Sequence, residues 1–258
     1  MIDTHAHVHD AKFDADRSET IARARAVGVE QIVLVGCDLA DTERAIQCAR
    51  EFSLHASIGI HPHEAAQAPE DIVERFDALY DSKHVVAIGE IGLDYFYTHS
   101  PPDVQQRILR EQLAYASTHR LPTIFHQRDA FEDFIGILRE AYDPTYGGVV
   151  HCFTGDSVQA SQLVDEFGLR LGIGGVLTFK NAQPLRDAVR KVGIDALVLE
   201  TDCPYLAPMP LRGERNEPAY IAHTARRLAT ELALGLDETL ARTDATARAL
   251  FPALVSTS

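Results

Sequence analysis

Several features that would assign a chain to a class at once are missing from these 258 residues. There is no Cys-x-x-C pair: Cys37, Cys48, Cys152 and Cys203 stand far apart, so neither a structural zinc site nor a redox dithiol is expected. They read as reduced, buried thiols of a cytosolic protein. No apolar run reaches the roughly 18 residues needed to span a bilayer, and no basic segment followed by an apolar stretch opens the chain. A soluble, unprocessed, cytoplasmic protein is expected. Positive charge is also scarce, with 24 Lys+Arg against 38 Asp+Glu and a net charge of -14. That excludes capture of nucleic acid by broad attraction to its phosphate backbone, so any phosphate must be gripped locally. No low-complexity stretch or linker divides the chain, which predicts a single domain over 1–258.

What is present is an alternation. Short apolar runs begin at Met1, Gln31, His55, Val85, Thr123, Gly148, Arg170 and Ala196, and each is followed by a stretch with apolar residues at helical spacing. The expected strands end at His7, Gly36, Ile60, Gly89, Phe125, Val150, Ile173 and Leu199. The expected helices are 17–27, 41–52, 70–80, 104–119, 131–142, 157–167, 184–192 and 219–232. Eight such units in about 250 residues predict an α/β fold, the (β/α)₈ TIM barrel, with a doubly wound open sheet as runner-up. The Pro-rich stretch 203–218 reads as a long loop after the eighth strand, and 237–251 as an extra C-terminal helix.

Chemistry-bearing residues recur at the ends of these strands. In Asp3-Thr-His-Ala-His7 the two histidines share one strand face, about two 3.3 Å rises apart, so one ion can meet both. His61, Glu90, His126, His151 and Asp202 close other strands in the same way. In a barrel these positions converge on one mouth. Imidazoles and carboxylates without thiolates suit Zn²⁺, Mn²⁺ or Mg²⁺. Four histidines and two carboxylates exceed one tetrahedral ion, and two divalent ions are expected: His5, His7 and Asp202 on one, His126 and His151 on the other, Glu90 on both. The alternative is ordinary, with carboxylates capping turns and histidines hydrogen-bonded in the core, but six such groups at buried strand ends would be costly without a cation. His61, His63, Arg128 and Asp94 could touch substrate, whereas His9, His55, His84, His99, His119 and His223 read as scattered surface or loop residues. Arg128 could offer a fork of donors to a phosphate or pair with Asp129 or Glu132. Lys180, Arg212 and Arg215 are further cations near the expected mouth.

The sequence resembles the TatD-type metal-dependent deoxyribonucleases of the amidohydrolase superfamily. The resemblance is carried by Asp3–His7, Gly59-Ile-His-Pro-His63, Gly89-Glu-Ile-Gly-Leu-Asp-Tyr95, His126-Gln-Arg-Asp-Ala130, His151-Cys-Phe153, Thr178-Phe-Lys-Asn181, Glu200-Thr-Asp-Cys-Pro-Tyr-Leu206 and Arg215-Asn-Glu-Pro218, in that order. It implies a barrel with two divalent metals that hydrolyses phosphodiester bonds in DNA, with 3′ to 5′ exonuclease activity in some members. By position it implies His5, His7, Glu90, His126, His151 and Asp202 as ligands, with His61 and Arg128 near the scissile phosphate. In the expected mechanism Asp202, Glu90 and His61 are catalytic, with a water activated by two metals as nucleophile and DNA held at a phosphate or strand end. Gln127 and Thr246 depart from the family pattern without touching a ligand. Hydrolysis of an amide, lactone or other ester is the second reading, and a catalytically silent metal-dependent binding protein the third.

Overall fold

The structure is a computed structural model that describes residues 1–254. Eight strands alternate with helices along it. They are β1 (Ile2–Ala6), β2 (Gln31–Val35), β3 (His55–Ile58), β4 (Val85–Asp94), β5 (Thr123–Arg128), β6 (Gly148–Val150), β7 (Arg170–Ile173) and β8 (Leu197–Leu199). The helices between them are α1 (Arg17–Ala26), α2 (Leu39–Phe52), α3 (Ile72–Leu79), α4 (Pro102–His119), α5 (Phe131–Ala141), α6 (Ser157–Phe167) and α7 (Gln183–Val192); α8 (Ile221–Leu232) and α9 (Leu236–Leu250) follow β8. All eight strands join one sheet in chain order, β1 to β8. The Thr4 hydroxyl donates to the Leu199 carbonyl at 3.0 Å, which ties the first strand to the last. Strand order and alternation make this the expected (β/α)₈ barrel, with α9 as the extra helix.

By internal packing the chain forms two compact units. One runs from Met1 to Leu34 and resumes at His151; the other is Val35–Val150. In the first unit, Phe13, Phe251 and Leu228 are fully buried. In the second, Phe125 and Phe134 meet edge to face at 5.3 Å. Local signals set the helix limits. Asp38 caps α2 by accepting from the Asp41 N–H at 2.7 Å, while Asp156 and Gln159 form a capping box on α6, which Gly168 ends in the left-handed region.

Two strands run further than expected. Val85–Gly89 continues to Asp94, and Thr123–Phe125 to Arg128, so Glu90 and His126 lie inside strands rather than at their ends. The reason is a parallel ladder that shifts register between Ile88 and Ile91 and then resumes, with Gly92 opposite His126 and Asp94 opposite Arg128. Gly92 has φ +147°, and a Cβ there would collide with the His126 carbonyl. Only glycine lets the two strands approach so closely.

Candidate metal centre

In the first unit, β1 and the segments after β6 and β8 bring four predicted ligands together. His5 Nε2 and His7 Nε2 are 3.2 Å apart, and Asp202 Oδ1 lies 3.8 Å from the first and 3.6 Å from the second. The His151 ring stacks on His5 at 3.9 Å. Ligand atoms of His5, His151 and Asp202 fall within 4.8 Å of one another. Asp202 reaches this position with φ +55°, a left-handed backbone that aspartate tolerates better than most residues, and its N–H donates to the His5 carbonyl at 2.9 Å. His151 therefore groups with His5 and Asp202 here, where the sequence reading had paired it with His126.

Behind these groups sit two carboxyls that the sequence reading left without a role. Asp3, fully buried, accepts from the Thr201 N–H at 2.9 Å and the Thr201 hydroxyl at 2.6 Å, clamping β1 to the residue before Asp202. Glu200, also fully buried, accepts from the Cys152 N–H at 2.6 Å and stands 3.9 Å from His151 Nδ1. A Cβ at Gly172 would collide with Glu200, so that glycine makes room for the carboxyl. Burial pushes Asp3 up to about 7 and Glu200 up to about 8. Burial also acts to raise Asp202, but the hydrogen bond from His7 and the charges of His151, His5 and His7 outweigh it and hold this carboxyl below its usual range. Asn216 donates to the Thr201 and Tyr205 carbonyls at 2.8 and 2.6 Å, fixing the turn around Asp202.

In the second unit, His126 lies between two carboxylates: Nδ1 is 2.8 Å from Glu90 Oε1 and Nε2 is 2.9 Å from Asp94 Oδ2. His61 Nε2 is 3.4 Å from Glu90 Oε1, and nitrogen and oxygen atoms of His61, Glu90 and His126 fall within 4.8 Å of one another. The tautomer of His61 follows from its other nitrogen. Nδ1 accepts the His63 N–H at 3.1 Å, so the neutral ring carries its proton on Nε2. Burial, opposed by Glu90, pushes His61 down to about 4, which keeps it neutral near pH 7. A protonated Nε2 donates a hydrogen bond and has no lone pair for a metal.

Several other residues named from the sequence have settled partners or surroundings. Asp94 is only 1% exposed; one oxygen meets His63 and His126 at 3.0 and 2.9 Å, and the other accepts the N–H groups of Phe96 and Tyr97 at 3.0 and 3.1 Å. Asp94 thus positions His63, His126 and the loop of Phe96 and Tyr97. Gln105 of α4 holds it there, accepting from its N–H and donating to its carbonyl. Arg128 pairs with neither Asp129 nor Glu132 among the described residues; its guanidinium lies 3.7 Å from the centre of the Phe96 ring. Arg215 is committed to Asp16 through two contacts of 2.7 Å, and Arg212 lies over Phe179. His9 and His84 lie in turns, as expected of loop residues, but are buried there, the latter against the Leu54 carbonyl at 3.1 Å. All four cysteines are free thiols, but Cys37 and Cys152 are only half-buried.

A match to the family described as TatD-related DNase spans residues 2–252. The chain belongs to that family. It is 40% identical over 252 residues to a Bacillus subtilis protein named as the uncharacterized metal-dependent hydrolase YabD, covering 97% of this chain and 98% of the relative. It is 37% identical over 257 residues to a protein of Cronobacter turicensis named 3′-5′ ssDNA/RNA exonuclease TatD, covering 97% of each. The crystal structure of YjjV, a TatD homolog from Escherichia coli K12, superposes with a TM-score of 0.89 at 29% identity over 98% of each chain. No helix among the described residues is long and apolar enough to cross a membrane.

Proposed function

We propose that this protein is a metal-dependent hydrolase that cleaves phosphodiester bonds at the 3′ end of single-stranded DNA, with RNA as a second substrate. It would act as a single cytoplasmic domain with two divalent ions. The observation that carries the reading is the gathering of histidine and carboxylate ligand atoms within 4.8 Å of one another, within a chain that matches the nuclease family over nearly its full length. The donors fit such ions: two imidazole nitrogens 3.2 Å apart beside the ionised Asp202 in one cluster, and Glu90 with His126 in the other. We assign His5, His7, His151 and Asp202 to the first ion and Glu90 with His126 to the second. When bound, the ions polarise a phosphoryl oxygen and lower the pKa of a water.

The chain's own groups supply the rest. Asp202, ionised at neutral pH, accepts a hydrogen bond from the attacking water and takes its proton. His61 donates from Nε2 to a phosphoryl oxygen as negative charge grows there. Arg128, exposed and without an ion pair among the described residues, neutralises a neighbouring phosphate. The relatives above are named for hydrolase and exonuclease activities, so the amide, lactone or ester reading draws no support from them. Metal-stripped protein incubated with labelled single-stranded DNA should release mononucleotides when Mg²⁺, Mn²⁺ or Zn²⁺ is restored. Release without metal, or none with any of the three, would overturn the proposal.

A further inference from the structure

Three aromatic side chains among the described residues keep large exposed surfaces: Phe96 at 53%, Tyr97 at 43% and Tyr205 at 48%. Two of them are consecutive, on the loop that follows β4. Water gains nothing from a fixed aromatic ring, so rings held in the open at such a place point to a ligand with a flat face. The loop is held firmly. Both of its aromatic N–H groups donate to Asp94 Oδ1, and the Tyr95 N–H donates to the Arg128 carbonyl at 2.9 Å. The same Asp94 bears on His63 and His126 through its other oxygen, so a single carboxylate fixes the aromatic pair relative to the proposed ligand His126.

The chemistry of the patch is specific. Phe96 and Tyr97 meet edge to face at 4.8 Å, and Tyr97 meets His63 edge to face at 5.3 Å. The Arg128 guanidinium lies 3.7 Å from the centre of the Phe96 ring and 5.1 Å from that of Tyr97. Its charge is thereby held beside two π-faces, with its N–H donors turned to no partner among the described residues. One face of Phe96 carries the cation, and the exposed remainder of the ring is left for another planar group. A nucleobase with its attached phosphate satisfies both halves of such a patch.

We propose that Phe96, Tyr97 and Arg128 form a stacking platform that takes a nucleobase at the cleaved end while Arg128 meets the phosphate beside it. The proposal rests on the nuclease reading and deepens it. It makes the enzyme tolerant of base identity, because every base has a π-face, yet dependent on a base being present.

Two measurements test it. In the first, Phe96→Ala is compared with the unaltered protein on an oligothymidylate and on the same oligonucleotide with abasic residues at its 3′ end. Stacking predicts a rise in KM of about tenfold or more on the base-bearing strand, at least fivefold smaller on the abasic one, with Phe96→Trp restoring the wild-type value. Equal losses on both strands, or none on either, would overturn the platform. The second does not require turnover. The chain contains no tryptophan, so Phe96→Trp supplies the one indole in the protein. Its emission, read before cleavage begins, should be quenched by the base-bearing strand and not by an abasic strand of equal charge. Equal responses would overturn the platform whether or not the protein cuts DNA, whereas base-selective quenching without nucleotide release would sink the nuclease reading alone.

Discussion

The two clusters use the same residue types and hold them differently. In the first unit the ligands are backed by carboxyls with no exposure at all: Asp3 clamps the backbone around Asp202, and Glu200 faces His151. Burial drives both well above the ordinary carboxylate range, so in the absence of a cation they bind protons near neutrality. In the second unit the backing carboxylate is Asp94, which accepts from two loop N–H groups and meets two imidazoles. Burial opposes its ionisation, but the His126 contact and those N–H donors prevail and hold it low. The carboxyls behind the first cluster are therefore neutral until a cation displaces their protons, whereas Asp94 is already ionised and compensated by protein groups. The first should respond more strongly to metal, the second more strongly to changes in the loop around it.

The largest effect expected from breaking either side is loss of a proposed ligand. Supporting groups around metal ligands are typically worth 10–100-fold in affinity or activity. His126→Ala and Asp202→Asn should each therefore lose at least about a hundredfold in kcat/KM for single-stranded DNA. A steady-state assay at saturating metal decides this, and a variant within tenfold of wild type would remove that residue from the centre.

The supporting carboxyls come next, and they separate the two sides. Glu200→Gln keeps the shape of the buried group without its titration, so it should weaken metal affinity by roughly 10–100-fold and leave the KM for DNA near wild type. Asp94→Asn should raise that KM as well, because the same residue anchors the Phe96–Tyr97 loop. Metal titrations and KM values on both variants test this. A matching KM effect in Glu200→Gln would erase the distinction.

A smaller effect concerns stability. Divalent metal that binds only the native state should raise the melting temperature, with about 2.7 kcal/mol gained at a free concentration a hundred times Kd. Metal should raise the midpoint less in His5→Ala than in His126→Ala, because the first cluster brings four proposed ligands to its ion and the second brings two. Melting curves of the two variants with and without metal show which cluster dominates, and equal rises would contradict the contrast.

The smallest effect is on salt. Arg215 is committed to Asp16, which leaves Arg128 as the best placed free cation among the described residues. A log–log slope of kcat/KM against salt no steeper than about -2 is expected, at roughly -0.7 per phosphate on a single strand. A slope of about -4 would require a cationic groove.

The alternation of strands and helices was legible because an eight-unit barrel repeats its period plainly. Strands β6 and β7 and helix α6 begin and end where expected. The extension of β4 was not legible, since Glu90 looks like a strand terminator until the ladder to β5 resumes beyond it at Ile91. The predicted ligands could be named from the chain, but their grouping could not, because His151 stacks on His5 through the fold and not through any spacing. Asp3 and Glu200 stood in plain view beside His5 and Asp202. An acid two residues from a ligand on a buried strand points to the same face, and that signal would have found Asp3; Glu200 lies past the end of β8, where no such alternation holds. The exposure of Phe96 and Tyr97 had no such signal, because aromatic residues after a strand are as often buried.

The central claim is that the protein holds two ions, each depending on its own cluster. Metal stoichiometry, measured by elemental analysis on the purified, reloaded wild type and on His5→Ala and His126→Ala, tests it directly. Two ions per chain in the wild type and one in each variant is the expected result. A single ion in the wild type, or a variant that keeps both, would contradict the account.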